Sequence, residues 1–332
     1  MSTVGIIANP QSGKDIRRLI SKSRVIPNQE KINIITRILS GLESTGVKDV
    51  LFMPDRSGIS MTASENHKGY LSQHFLEMPI FDNQIDTTRA VKEMLKENVS
   101  AIIVLGGDGT SRAAVKAIDK TPIMPISTGT NNVFPYLIEG TLAGIATGCI
   151  AVDKPKDHKF APTHKILEVT LNSTLSDLAL VDVAISNQKF IGARAIWDIE
   201  SVSELFLTFA DPASIGLSSI GGMIHPISRT DSSGIHIEVG NKNSTRYVNA
   251  PITPGEISKV RISSYKMITQ GNLYNINPKS STIALDGERT ISVSESDEVQ
   301  ITLNLDGPNV IDPFKTLKEY SKNGYFTSLL NS

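Results

Sequence analysis

Over the first 130 residues, continuous apolar runs alternate with stretches in which apolar residues return every three or four positions. Thr3–Ala8 (TVGIIA), Asp49–Met53 (DVLFM), the start of Ala101–Thr110 (AIIVL) and Ile123–Ile126 (IMPI) form the first set. Such short runs read as strands buried on both faces. Ile32, Ile35, Leu39 and Leu42 predict a helix over 29–45. Val91, Met94 and Leu95 predict another over 87–99, with Asp86 as its N-cap, and Ala113, Ala114 and Ala117 a third over 110–119, capped by Thr110 or Ser111. Residues 54–69, with Pro, Gly and Ser, read as a loop, and 136–148 as a helix. This regular β–α alternation predicts an α/β unit, a parallel sheet covered by helices on both faces.

After Ala151 the pattern changes. Lys165–Leu171, Leu178–Ser186, Ile235–Val239, Val260–Ser264, Thr282–Leu285 and Val299–Leu303 are short alternating or β-branched runs separated by turn residues. They predict a mainly antiparallel all-β C-terminal domain. A helix-like interlude, Asp198–Phe209, interrupts it, and Gly216–Gly222 reads as a flexible or ligand-facing loop. Residues 312–323 predict a final helix able to return to the first domain. The expected organisation is 1–150 (α/β, nucleotide-binding), 151–305 (β-rich, substrate) and 306–332 (C-terminal helix).

Composition narrows the function classes. A chain of 332 residues with 39% hydrophobic and 20% charged residues is ordinary globular material, long enough for two domains. A net charge of −1 argues against nucleic acid or an acidic membrane as main partner. No apolar stretch reaches the 18 or so residues of a membrane span, and MSTVGIIANP lacks the basic n-region of a signal peptide. The single Cys149 has no internal disulfide partner and suits a reducing cytoplasm. The six histidines show no paired metal-ligand spacing and read as structural.

Candidate chemistry lies in the turns. Gly106-Gly107-Asp108-Gly109-Thr110 runs from a strand into a helix start. Unpaired N–H groups, a partial positive charge and glycines that admit close approach make an anion site there, most often for phosphate. Asp108 beside a phosphate needs a role: taking a proton from an attacking hydroxyl, or binding Mg²⁺. The alternative is a tight turn capped by Asp108. Asn9–Asp15 (NPQSGKD) is a second such turn, in which Ser12 and Gly13 offer N–H groups and Lys14 a mobile charge. It departs from a P-loop in spacing and in Asp15. Ser127–Asn132 (STGTNN) offers hydroxyls and amides on the same sheet edge. Leu285–Arg289 (LDGER) sets two carboxylates around a glycine in a turn that also suits a plain hairpin.

Taken in order, NPxSGK, GGDGT, GTNN and DGE resemble the superfamily joining NAD kinases with diacylglycerol and sphingosine kinases. VDVAISNQKFIGARAIWD (181–198), IGLSSIGG (215–222) and IALDGER (283–289) resemble its acetoin-catabolism, AcoX-like branch. The resemblance implies a Rossmann-like N-terminal domain, a β-rich C-terminal domain and a cleft site. It implies that Asn9, Ser12 and Gly13, with Gly106, Gly107, Gly109 and Thr110, bind the triphosphate of Mg²⁺–ATP. Thr128, Gly129, Thr130, Asn131 and Asn132 would touch the nucleotide or acceptor, and Asp182 and Asp286 would be cofactor-binding residues as well. The base would be Asp108, as in NAD kinases, or Glu288, as in lipid kinases; Asp108 is also the candidate Mg²⁺ ligand. The implied activity is a phosphotransferase acting on NAD or a related small acceptor, with a lipid kinase or a non-catalytic nucleotide-binding protein as alternatives. Its partners would be a small-molecule nucleotide and further copies of the chain as a homo-oligomer. The sequence departs from the NAD kinases at ALVDVAI (179–185), where Val181 stands in place of the asparagine that holds the dinucleotide. Valine cannot make that hydrogen bond.

Overall fold

The structure is a computed structural model that describes residues 2–13, 26–129, 132–154, 159–187, 199–240, 243–276, 281–287 and 289–327. In chain order, the first unit holds β1 (Thr3–Ala8), α1 (Asn28–Ser44), β2 (Asp49–Phe52), α2 (Ile59–Asn66), β3 (Ser72–Phe75), α3 (Gln84–Lys96), β4 (Ala101–Gly106), α4 (Asp108–Val115), β5 (Ile123–Ser127) and α5 (Gly140–Asp153). Its five strands are parallel, in the order β3-β2-β1-β4-β5. Alternate residues of each strand face opposite layers. Ile6, Ile103 and Leu105 join Ile35, Ile38 and Leu42 of α1 and Cys149 of α5. Ile7, Ile102 and Val104 join Val91 and Met94 of α3 and Ala114 of α4. Helices α1 and α5 touch backbone to backbone, since a Cβ on Gly144 would lie 2.3 Å from the Ile38 carbonyl oxygen.

The second unit holds β6 (Ile166–Leu171), β7 (Thr174–Ala179), β8 (Asp182–Ser186), β9 (Val202–Leu207), α6 (Leu217–Ile224), β10 (Ser233–Val239), β11 (Arg246–Thr253), β12 (Glu256–Thr269), β13 (Leu273–Ile276), β14 (Ser281–Leu285), β15 (Arg289–Val293) and β16 (Val299–Asn304). These form two antiparallel sheets, β11-β12-β10-β9-β8-β14-β15 and β13-β16-β6-β7. Leu167, Val169, Ile185, Phe206, Ile283, Ile301 and Leu303 pack between them. The chain then returns to the first unit. Val310 bridges Ile123, and Tyr320 of α7 (Pro313–Lys322) packs against Phe160 in the first unit's core.

Several elements differ from the sequence expectation, each for a physical reason. Residues 59–66 are helical because Asp55 accepts the Ile59 and Ser60 N–H groups at 3.0 Å, and Ile59 and Ala63 are buried. Helix α3 starts at Gln84, capped by Asn83, and Asp86 closes a capping box from inside the first turn. Helix α4 starts at Asp108, so Asp108 and Gly109 lie in its first turn. Helix α5 starts at Gly140, where Glu139 accepts the Thr141 N–H at 2.7 Å. The run 178–186 splits between β7 and β8, in different sheets, because Asp286 holds the N–H groups of Leu180, Val181 and Asp182 between them. Residues 202–207 are strand β9 in the middle of the large sheet, where pairing on both sides overrides helical spacing. Residues 217–224 are helix α6, with Ile220 buried in the sheet's outer cluster.

Candidate functional site

Strand order in the first sheet reverses between β1 and β4, and in open α/β sheets the crevice outside the strand ends at that point is where ligands bind. The turns after β1, β4 and β5 all meet there. The Asn9 side-chain amide donates to Thr110 Oγ1 at 2.8 Å, which joins the first turn to the second. The Ser12 and Thr128 hydroxyls lie 2.9 Å apart, which joins the first turn to the third. The Thr128 N–H donates to the Gly106 carbonyl at 2.9 Å. Asn132 donates to Ser127 Oγ at 2.8 Å and occupies the space beside Gly107, where a Cβ would come within 2.8 Å of its Oδ1. Gly13, with φ of +73°, sits against the Thr128 carbonyl. Thus Asn9, Ser12, Gly13, Gly106, Gly107, Asp108, Gly109, Thr110, Thr128, Gly129 and Asn132 share one edge. Lys14, Thr130, Asn131 and Glu288 lie outside the described residues.

A lysine that the sequence reading passed over organises the first turn. Lys31 of α1 is fully buried. Its ammonium donates to the carbonyls of Asn9, Pro10 and Ser12 at 3.0, 3.2 and 2.8 Å. The signal was present: Lys31 lies one helical turn before Ile35, on the inward stripe of α1, where a lysine has to find partners.

Asp108 is buried, and its carboxylate accepts the Val133 N–H at 3.1 Å and the Phe134 N–H at 2.8 Å. It therefore anchors the end of the third turn. From the second unit, Arg229 donates to the carbonyls of the same two residues, at 2.5 Å to Val133 and 2.7 Å to Phe134. Burial pushes the Arg229 guanidinium below arginine's ordinary pKa, while Tyr136 and Asp108 oppose that shift. His164 stands behind, edge-on to Phe134 and Phe209, and burial holds it neutral, far below the usual histidine range. No local pattern in the sequence marks Arg229.

Across the seam, Asp286 is buried, with φ of +50°, and accepts the N–H groups of Leu180, Val181 and Asp182. Burial raises its pKa, and the charge of Arg112 opposes the rise. Asp182 is also buried, its carbonyl bonded by the Asp286 N–H at 3.0 Å. Val181 has no exposed surface and packs in the apolar seam with Phe134, Phe209 and Val310. Asp182 and Asp286 thus belong to the facing wall and not to the three joined turns. A separate cavity lies beside the starts of β1 and β2 and the end of α3, lined by Thr3, Asp49, His74, Glu77, Glu93 and Glu97. It shares no residue with the turns, and its acidic lining suits no phosphate.

Comparison with known proteins agrees with the fold. Residues 4–153 match the ATP-NAD kinase N-terminal domain, and residues 165–306 match the acetoin catabolism protein X C-terminal domain. Acetoin catabolism protein X of Cupriavidus necator is 38% identical over 313 residues, covering 91% of this chain and 87% of that protein. Two solved chains from Bacillus anthracis str. Sterne, described as a "putative diacylglycerol kinase", cover 97% and 98% of their own length and 93% of this one. They do so at 15% and 13% identity and TM-scores of 0.45 and 0.43, a likeness too distant to inform the chemistry. With an NAD kinase-type domain joined to the β-rich domain of its 38%-identical relative, the chain belongs to the acetoin catabolism protein X family.

Proposed function

We propose that the chain is an ATP-dependent phosphotransferase of the NAD kinase type, which moves a phosphoryl group from Mg²⁺–ATP to a hydroxyl of NAD or a related small acceptor. The observation that carries this reading is the joining of three polar turns at the switch point of the parallel sheet. The donor set fits a polyphosphate: neutral hydroxyls and amides surround a helix N-terminus, with the Lys31 ammonium behind them. Among the described residues no three His, Cys, Asp or Glu side chains cluster as metal ligands. Magnesium on a nucleotide asks for only one or two protein carboxylates, and among the described residues Asp108 is the one on these turns. Bound there, the ion would neutralise charge on the transferred group.

Phosphoryl transfer asks the chain mainly to position its reactants. In this reading the turns of Asn9–Gly13 and Gly106–Thr110 hold the phosphates. Asp108 fixes the third turn and orients the acceptor hydroxyl or takes its proton, with Glu288 as the second candidate base. The buried Val181 favours one competing reading, a nucleotide-binding protein without turnover, because its side chain offers no hydrogen bond to a dinucleotide.

The test incubates the protein with Mg²⁺, ATP and NAD⁺ and follows NADP⁺ with a coupled dehydrogenase. The expected result is NADP⁺ formation that falls by about 100-fold or more in Asp108→Asn, in a variant whose melting curve stays cooperative. ATP binding without NADP⁺ would move the search to other acceptors or to the binding-only reading. No ATP binding would overturn the proposal.

A further inference from the structure

Helix α4 begins in the glycine turn, and one of its faces points at the second unit. Asp108, Arg112 and Lys116 are spaced one turn apart, so their side chains share that face. Lys116 pairs with Asp177 of β7 at 2.6 Å, at a partly exposed position. Arg112 is different, because it has no exposed surface and is among the largest fully buried side chains in the molecule. Its Nη1 donates to the carbonyl of Leu285 at 3.0 Å, the last residue of β14 before the Asp286–Gly287 turn. Its Nε and Nη2 have no hydrogen-bond partner among the described residues.

Burying a guanidinium with one bond is costly, and apolar replacements of such groups are often neutral or stabilising. Packing alone therefore does not account for it. Its place does: the bond spans the seam and ends beside Asp286, which in turn gathers the N–H groups of Leu180, Val181 and Asp182. One short chain of contacts thus runs from the helix opened by the glycine turn to the start of β8 on the facing wall.

We propose that Arg112 is a positioning residue that ties the Leu285–Gly287 turn to α4, so that occupation of the helix N-terminus is transmitted to Leu180–Asp182 in the second unit. The transmission rests on the nucleotide reading above; the tie itself does not. Arg112 touches no reacting group. It sets the height of the turn that carries Asp286 and leads into Glu288, and the charge of Arg112 favours the ionised Asp286 that holds the 180–182 backbone. A ligand that draws α4 toward its phosphates would pull the same bond.

Amide hydrogen exchange on the full chain tests this in two arms. Without ligand, Arg112→Met should speed exchange at Leu180–Asp182 by about tenfold while Val133 and Phe134, held by Asp108, keep their rates. The melting temperature should hold or rise, since a buried charge has been removed. Arg112→Lys should restore much of the protection, and Lys116→Met, which cuts the other charged link, should leave 180–182 unchanged. Unchanged exchange at 180–182 in Arg112→Met overturns the tie. If that variant does not fold, Arg112→Leu, which likewise leaves Leu285 without its donor, takes the same test with the same outcomes. In the second arm, Mg²⁺–ATP should slow exchange at 106–110 and at 180–182 in the wild type, but only at 106–110 in Arg112→Met. Protection at 180–182 that persists in the variant overturns the transmission. No protection at 106–110 in the wild type counts against the nucleotide reading instead, and the first arm still decides the tie.

Discussion

Asp108 and Arg229 hold opposite sides of the same dipeptide: the carboxylate takes the N–H groups of Val133 and Phe134, and the guanidinium donates to their carbonyls. One residue comes from the first unit and the other from the second. The third polar turn is therefore fixed only when the two units are together. Arg229 is itself boxed by Phe134, Tyr136 and Phe209, whose ring centres lie 5.8, 5.0 and 4.6 Å from its guanidinium carbon.

Arg229→Met should free both carbonyls and loosen the third turn. The expected loss of stability is about 2 kcal/mol, from partly buried acceptors left without donors. Amide exchange at Val133 and Phe134 should rise with it, although Asp108 is untouched. Arg229→Lys should recover little, because a lysine lacks the planar guanidinium that lies against the Phe134, Tyr136 and Phe209 rings and meets both carbonyls from there. Urea denaturation and exchange at 133–134 measure both effects. Retention of wild-type values in Arg229→Met would show that Asp108 alone fixes the turn.

What the sequence made legible follows from the range of the interactions. The buried strands and the GGDGT turn were readable because five consecutive apolar residues and three glycines state their environment locally. Asp286 was visible as a turn residue, but its reach to Leu180–Asp182 depends on a pairing about a hundred residues away in the chain. Strand β9 read as helical because its spacing was ambiguous and its two neighbours, β8 and β10, decide the matter. Arg229 was invisible for the same reason: nothing in its loop announces that Asp108 waits on the other side of the seam. Lys31 was legible and was passed over, as a charged residue on an otherwise apolar helical stripe.

Lys31→Met should be severe. Three carbonyls of the first turn would lose their shared donor; that of Asn9 keeps the Ser12 hydroxyl, whereas those of Pro10 and Ser12 are buried. Each unsatisfied buried acceptor costs about 1–3 kcal/mol, less whatever the turn recovers by relaxing. A total of about 3 kcal/mol is expected, with Mg²⁺–ATP affinity reduced about tenfold or more in protein that remains folded. Calorimetric titration of the variant below its melting temperature separates the two effects. Undiminished ATP affinity would mean that the first turn does not contact the phosphates.

Gly144→Ala should separate α1 from α5. The added Cβ would meet the Ile38 carbonyl at 2.3 Å, and a backbone atom cannot swing aside as a side-chain tip can. A loss of about 1–3 kcal/mol is expected from overpacking. Ser40→Ala, on the exposed face of α1, should be neutral or slightly stabilising, since alanine is the better helix former. Thermal denaturation of the pair checks that the cost comes from contact and not from helix propensity.

Lys165 should give stability a pH dependence of unusual sign. Its ammonium donates to the carbonyls of Ser228 at 3.0 Å and Ser233 at 2.7 Å, and so closes the loop that carries Arg229. Burial pushes its pKa from the ordinary 10.5 down to about 8, with Asp231 opposing the shift. The folded protein releases this proton near pH 8, whereas the unfolded chain keeps it until about 10.5. Between those values the unfolded state binds more protons, so this group's contribution to stability rises with pH. At full extent the rise approaches about 3 kcal/mol. The bonds survive deprotonation, because a neutral amine still has two N–H groups for two carbonyls. Urea denaturation of wild type and Lys165→Met at pH 7.5 and pH 10 isolates the effect from general charge repulsion, which both proteins share. The difference should move in favour of the wild type at the higher pH. A difference that stays flat would mean that Lys165 titrates at its ordinary value and is not desolvated by the loop it holds.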